Sequence, residues 1–275
     1  MNKAELIARC ADAGISPNRR LGQNFLFNET IIARIVAAAG IQPTDRVLEI
    51  GPGMGTLTEA IAERAASVHA IEIDAGLARH LRDAFAHRDT VTISHADFLK
   101  SAPVPGITKI ISNLPYYCAS EILFAIAIGY ANPETYVMLQ REMAARIAAR
   151  PGGKDYGALT VTLGFYFSME RLFDIDKQSF HPAPEVTSTF IRLARTDNAA
   201  HDARWIERFH TVVKSAFWGR RKPILGALVE SPHARFVRDG VIAALASCMI
   251  PPNTRAERLS VDDYRALTEA LAERE

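Results

Sequence analysis

The chain has 275 residues, 48% hydrophobic and 23% charged, with a formal net charge of +1. That suffices for one large domain and a smaller one, and it excludes nucleic-acid binding by bulk charge alone. Cys10, Cys118 and Cys248 are scattered, and no secretory leader or long apolar run is present, so a cytoplasmic protein with reduced thiols, no metal site and no membrane span is expected.

A short helix is predicted over 3–13, stopped by Gly14. The basic, irregular Arg19-Arg20-Leu21-Gly22-Gln23-Asn24-Phe25-Leu26 follows. Helical spacing runs from Glu29 to Ala39 and stops at Gly40. Strands and helices then alternate: strands at 46–50, 68–73, 91–94, 109–112 and 134–139, and helices at 56–65, 75–86, 120–128 and 141–150. Such alternation predicts a parallel sheet covered on both faces. Segments 171–173 and 187–193 read as a late hairpin on the sheet edge, and Thr196–Asp202 as a linker. Only helical patterns follow, at 203–217, 223–228, 241–246 and 261–273. The expected division is an α/β domain over 1–198 and a smaller all-α domain over 199–275.

Two stretches carry chemistry. Strand 46–50 runs into Glu49-Ile50-Gly51-Pro52-Gly53-Met54-Gly55. Glycines there permit positive φ and a close ligand approach, ahead of a helix N-terminus. Glu72 ends the next strand, where an acid binds ribose hydroxyls. Asp97 ends the third, facing the same crevice, although Asp97 and Asp74 serve equally well as helix N-caps. This spacing does not separate NAD from S-adenosylmethionine. The second stretch, Asn113-Leu114-Pro115-Tyr116, follows strand 109–112. An Asn oxygen and the next carbonyl can both accept from an –NH2 group, Pro fixes the turn, and Tyr offers a stacking face. The combination suits methylation of an exocyclic adenine amine.

With Leu21–Leu26, Leu48–Thr58 and Asn113–Tyr116, the stretches Met138–Glu142, Pro151–Gly157 and Phe180-His181-Pro182-Ala183-Pro184 give a chain that closely resembles the rRNA adenine N6-dimethyltransferases. The resemblance covers nearly the whole chain and is strongest to the bacterial small-subunit branch. It implies a Rossmann-like S-adenosylmethionine-dependent methyltransferase domain followed by a helical rRNA-binding domain. It implies cofactor contacts from Asn24, Leu26, Gly51, Glu72, Asp97 and Asn113. Asn113, Leu114 and Tyr116 become the catalytic turn, and Phe180 the residue that stacks on the target adenine; read from the residues alone, Phe180 and Tyr116 serve equally well as core aromatics. The implied substrate is small-subunit (16S) rRNA, dimethylated at two adjacent adenosines within a partly assembled subunit, and the chain is expected to be monomeric.

With an RNA substrate implied, Arg19, Arg20, Arg220, Arg221 and Lys222 read as phosphate contacts rather than solvated charge. Arg141, Arg146, Arg150 and Lys154 add a basic rim. His181, between Phe180 and Pro182, reads as a loop residue. Three positions depart from the family pattern. Glu121 stands where a proline is usual, and Pro223 and Gly226 are expected to weaken a helix after the basic cluster. Rival readings are a large-subunit rRNA or DNA adenine methyltransferase, and a non-catalytic factor on the same fold.

Overall fold

The structure is a computed structural model that describes residues 2–18, 21–131, 133–196, 201–219 and 221–272. The chain divides into two compact units: Met1–Ala144 with Met169–Arg195, and Ala145–Ser168 with Thr196–Glu275.

The first unit opens with α1 (Lys3–Asp12), β1 (Phe25–Leu26) and α2 (Glu29–Ala39). Asn2 and Glu5 close a capping box on α1, and Asn28 caps α2, which ends at Gly40 in the left-handed conformation. The alternating region follows: β2 (Arg46–Ile50), α3 (Thr56–Ala62), β3 (Ser67–Glu72), α4 (Ala75–Ala84), β4 (Val91–His95), β5 (Lys109–Asn113), α5 (Ala119–Gly129) and β6 (Glu134–Gln140). After α6 (Arg141–Ile147) and α7 (Ala158–Tyr166) come β7 (Phe167–Ile175), β8 (Phe180–His181) and β9 (Ser188–Arg195).

Seven strands form one sheet in the order β4-β3-β2-β5-β6-β9-β7. β2, β3, β4, β5 and β6 pair in parallel and β9 is antiparallel to β6. The late strands thus lie together at one edge, as expected, although β7 is much longer than 171–173. β1 and β8 form a separate antiparallel pair that the sequence reading does not anticipate. Strand order reverses between β2 and β5, and the crevice above that point is where open α/β sheets bind ligands. Beneath it, Val47, Val68 and Ile111 from the strands and Ile35, Leu57 and Ile61 from the helices are buried in one apolar cluster. Glu121 lies in the first turn of α5, where a carboxylate complements the helix dipole, so losing the family's proline there leaves the helix intact.

The second unit is helical: α7 with α8 (Ala203–Trp218), α9 (Ile224–Val229), α10 (Arg238–Ser247) and α11 (Val261–Ala272). Phe165 of α7 packs on Phe209 and Trp205 of α8, with ring centroids 4.5 and 5.4 Å away. The Tyr156 hydroxyl donates to the Leu259 carbonyl at 2.8 Å. Segment 145–168 therefore packs with the C-terminal helices, which differs from a single cut at residue 198. Most of the expected linker, residues 197–200, lies outside the described residues. Pro223 does not weaken α9, because it stands at the N-cap, where the helix needs no N–H from it. Among the described residues no helix is long and apolar enough to cross a membrane.

Candidate active site

A cleft of about 750 Å³, counting its open mouth, lies at the carboxyl ends of β2, β3 and β5. Asn24, Leu26, Glu49, Gly51, Glu72 and Asn113 are among its walls. A second hollow shares Gly51, Ile73, Pro115 and Tyr117 with it and adds Asp97 and Phe98. The two form one crevice within the first unit.

The floor is the glycine turn. Gly51 has φ 69°, and a Cβ there would meet only Pro115 Cδ, at 4.0 Å, so the backbone is open to a ligand. Gly55 has φ 79°, and its absent Cβ lets Leu81 and Phe85 close in behind α3.

Two buried carboxylates stand beside the turn. Glu72, 3% exposed, accepts from the backbone N–H of Gly53 at 3.2 Å and of Asp74 at 2.9 Å. Burial pushes its carboxyl above the usual range, against those hydrogen bonds. Glu49, 2% exposed, accepts from the Thr58 hydroxyl at 2.6 Å. Burial pushes it up to about 8, and neighbouring Glu72 adds to the rise. Asp74 and Asp97 do act as N-caps, Asp97 accepting from Leu99 N–H at 3.0 Å. Asp97 nevertheless lines the second hollow, so the two readings of it coexist.

Asn113 ends β5 facing this crevice. Its Nδ2 donates to the Asn24 carbonyl at 3.2 Å. Its Oδ1 is buried with no hydrogen-bond partner among the described residues. Leu114 is buried beside it. The half-buried Tyr116 reaches away with its hydroxyl to Ser188 Oγ, 2.5 Å distant.

Phe180 takes the core reading in this structure. It is 1% exposed, paired with Leu26 across β1 and β8 and packed in the main apolar cluster. As placed it has no face open to a base. The aromatic residues that line the cleft are Phe25, Tyr116 and Tyr117.

Of the expected phosphate contacts, Arg19, Arg20 and Arg220 lie outside the described residues. Arg221 and Lys222 sit in the turn between α8 and α9. Lys222 is already engaged: it pairs with Glu230 and its ammonium lies 4.8 Å from the Trp218 ring centroid. Glu49, which opens the turn motif in the sequence, is one of the lining acids. Ser188 and Tyr117 carried no signal that separates them from other Ser and Tyr residues.

The family model for ribosomal RNA adenine dimethylase matches residues 15–273. The chain belongs to that family. The chain is 36% identical over 279 residues to the ribosomal RNA small subunit methyltransferase A of Moorella thermoacetica, covering 96% of each chain. It is 37% identical over 272 residues to that of Lactiplantibacillus plantarum, covering 94% of this chain and 91% of the relative. Among solved structures it is similar to the 23S rRNA methyltransferase ErmE, with TM-score 0.69, 30% identity, and 90% of this chain and 100% of that one covered. A dimethyladenosine transferase from Plasmodium falciparum shares the fold, with TM-score 0.76, 22% identity and coverage of 88% and 95%. The crevice offers groups that a methyl-donor cofactor could use. Gly51 leaves the backbone bare, Glu72 offers acceptors for hydroxyls, and Asn113 keeps one buried oxygen unpaired.

Proposed function

We propose that the protein transfers methyl groups from S-adenosylmethionine to N6 of two adjacent adenosines in small-subunit rRNA. Its substrate is a partly assembled small ribosomal subunit, and it acts as a cytoplasmic monomer. Asn24, Leu26, Gly51, Glu72 and Asp97 would hold the cofactor, within the first unit. The helical part from 199 onward, with Arg221 and Lys222, would hold rRNA.

The observation that carries this reading is the unpartnered Asn113 Oδ1. A buried polar atom without a partner is costly, on the order of 1–3 kcal/mol, and calls for a reason. An incoming amine N–H supplies one. The N6 lone pair of adenine is delocalised into the ring, so the amine is a poor nucleophile. Asn113 Oδ1 and the Leu114 carbonyl can hold its two hydrogens out of the ring plane, which pyramidalises the nitrogen and directs its lone pair. When bound, the cofactor supplies an electrophilic methyl group that needs no further activation by a metal. The chain's task is then orientation. The methylated ammonium is acidic enough to lose its proton to water. The target base must leave its stack to reach the turn, where Tyr116 offers a face worth ~1–3 kcal/mol.

Primer extension on ribosomal RNA from a deletion strain tests the assignment. Loss of the dimethyl stops from small-subunit RNA, restored by the gene and not by an Asn113→Ala copy, is expected. Loss confined to large-subunit RNA would overturn it.

A further inference from the structure

We propose that Ser188 is a positioning residue for methyl transfer, anchoring the hydroxyl end of the Tyr116 ring against which the target adenine is placed. This rests on the function proposed above. Ser188 opens β9, opposite Gln140 at the end of β6, and is fully buried. Its Oγ lies 2.5 Å from the Tyr116 hydroxyl.

The strand start that carries Ser188 is itself held. Arg141 N–H donates to the Thr187 carbonyl at 3.0 Å, and the Thr189 hydroxyl donates to Asp174 Oδ1 at 2.7 Å. The catalytic turn is pinned at its other end by Asn113 Nδ2 on Asn24 and by the burial of Leu114. Tyr116 starts a single 3-10 turn, Tyr116–Cys118, directly after Pro115. Its ring therefore hangs between a rigid turn and one side-chain hydrogen bond. Removing that bond frees the outer end of the ring to swing about Cα–Cβ relative to Asn113 Oδ1, which stays pinned through Asn24.

The Tyr116 hydroxyl is not available as a base. It is occupied by Ser188, and burial raises its pKa above the ordinary value. What the hydroxyl contributes is direction for the ring. Stacking alone tolerates many orientations. Aligning an amine for in-line transfer does not.

The test is a double-mutant cycle in methyl transfer to small subunits, with wild-type activity established first. An inactive wild type would sink the functional reading itself, before any variant is read. Ser188→Ala and Tyr116→Phe should each lower kcat about tenfold, the scale of one hydrogen bond. KM for the subunit and calorimetric affinity for S-adenosylmethionine should stay unchanged. The double variant should lose no more than either single one, because both remove the same bond. Ser188→Thr, which keeps the hydroxyl, should recover part of the rate. Losses that multiply to about a hundredfold would make Ser188 a fold residue only. So would a change in cofactor affinity in place of kcat. Should Ser188→Ala fail to fold, Tyr116→Phe decides alone, since it leaves β9 untouched: wild-type kcat there overturns the proposal.

Discussion

Asn113 holds the Asn24 carbonyl with its amide nitrogen, at 3.2 Å, and so turns its oxygen toward the cleft with nothing to accept from. The segment before the sheet thus orients the residue at the sheet's switch point. Asn113→Ala removes the acceptor and keeps the strand. Methyl transfer is expected to fall by at least about a hundredfold, the scale of losing one preorganised polar group in a transition state. The circular dichroism spectrum should not change.

Glu72 is the buried acid best placed to take hydroxyl donors, and it also ties Gly53 to Asp74. Glu72→Ala loses both uses. Titration calorimetry should show S-adenosylmethionine affinity lowered by about tenfold or more. Unaltered affinity would remove Glu72 from the site.

Glu49 makes stability depend on pH. Its folded-state value near 8 lies above the ordinary 4.5, because burial disfavours the charge. The folded chain keeps a proton that the unfolded chain has released. This group's stabilising contribution is complete below about pH 4.5 and is lost as pH rises through about 8. Glu72 is shifted in the same direction. Glu49→Gln keeps an acceptor for Thr58 and removes the titration. Its thermal midpoint should decline less than that of wild type between those limits, with the larger gap at the alkaline end.

Two glycines in the same backbone region separate strain from crowding. Gly40 has φ 56° and open space around its missing side chain. Gly40→Ala should cost only the left-handed penalty, about 1–2 kcal/mol. At Gly55 a Cβ would lie 2.7 Å from Leu81 Cδ2 and 3.0 Å from Phe85. Gly55→Ala should add a further ~1–3 kcal/mol of overpacking, read as a lower midpoint in urea.

Replacing Arg221 and Lys222 with Gln should weaken binding to small subunits and flatten its salt dependence by about one unit of slope per lost phosphate contact. Cofactor affinity should be untouched. Since Lys222 already pairs with Glu230, Arg221→Gln is expected to have the larger effect.

The alternating core of the first unit was legible because β-branched strands and amphipathic helices announce themselves by period. The helix α7 was not. Ala158–Tyr166 reads ALTVTLGFY, with apolar residues on every face and β-branched residues at 160–162. It resembles a buried strand, and only its packing on α8 and α11 makes it a helix. At the site, Glu72, Gly51 and Asn113 were legible because the chemistry fixes their types. For Phe180 the residues left a core and a stacking reading equally open, because an aromatic residue before a turn reads alike whether it faces solvent or core. Its placement follows from the β1–β8 pairing, which joins Leu26 to Phe180 across most of the first unit's sequence and leaves no local pattern.

During synthesis, the membership of segment 145–168 in the helical unit creates a delay. This apolar helix leaves the ribosome before β7 and β9 and well before α8, its main aromatic partner. At about 5–20 residues per second, Phe165 waits a few seconds for Trp205 and Phe209. In that interval its surface has no native cover. A nascent chain halted near residue 198 should therefore be a chaperone client even though every strand of its sheet has been made.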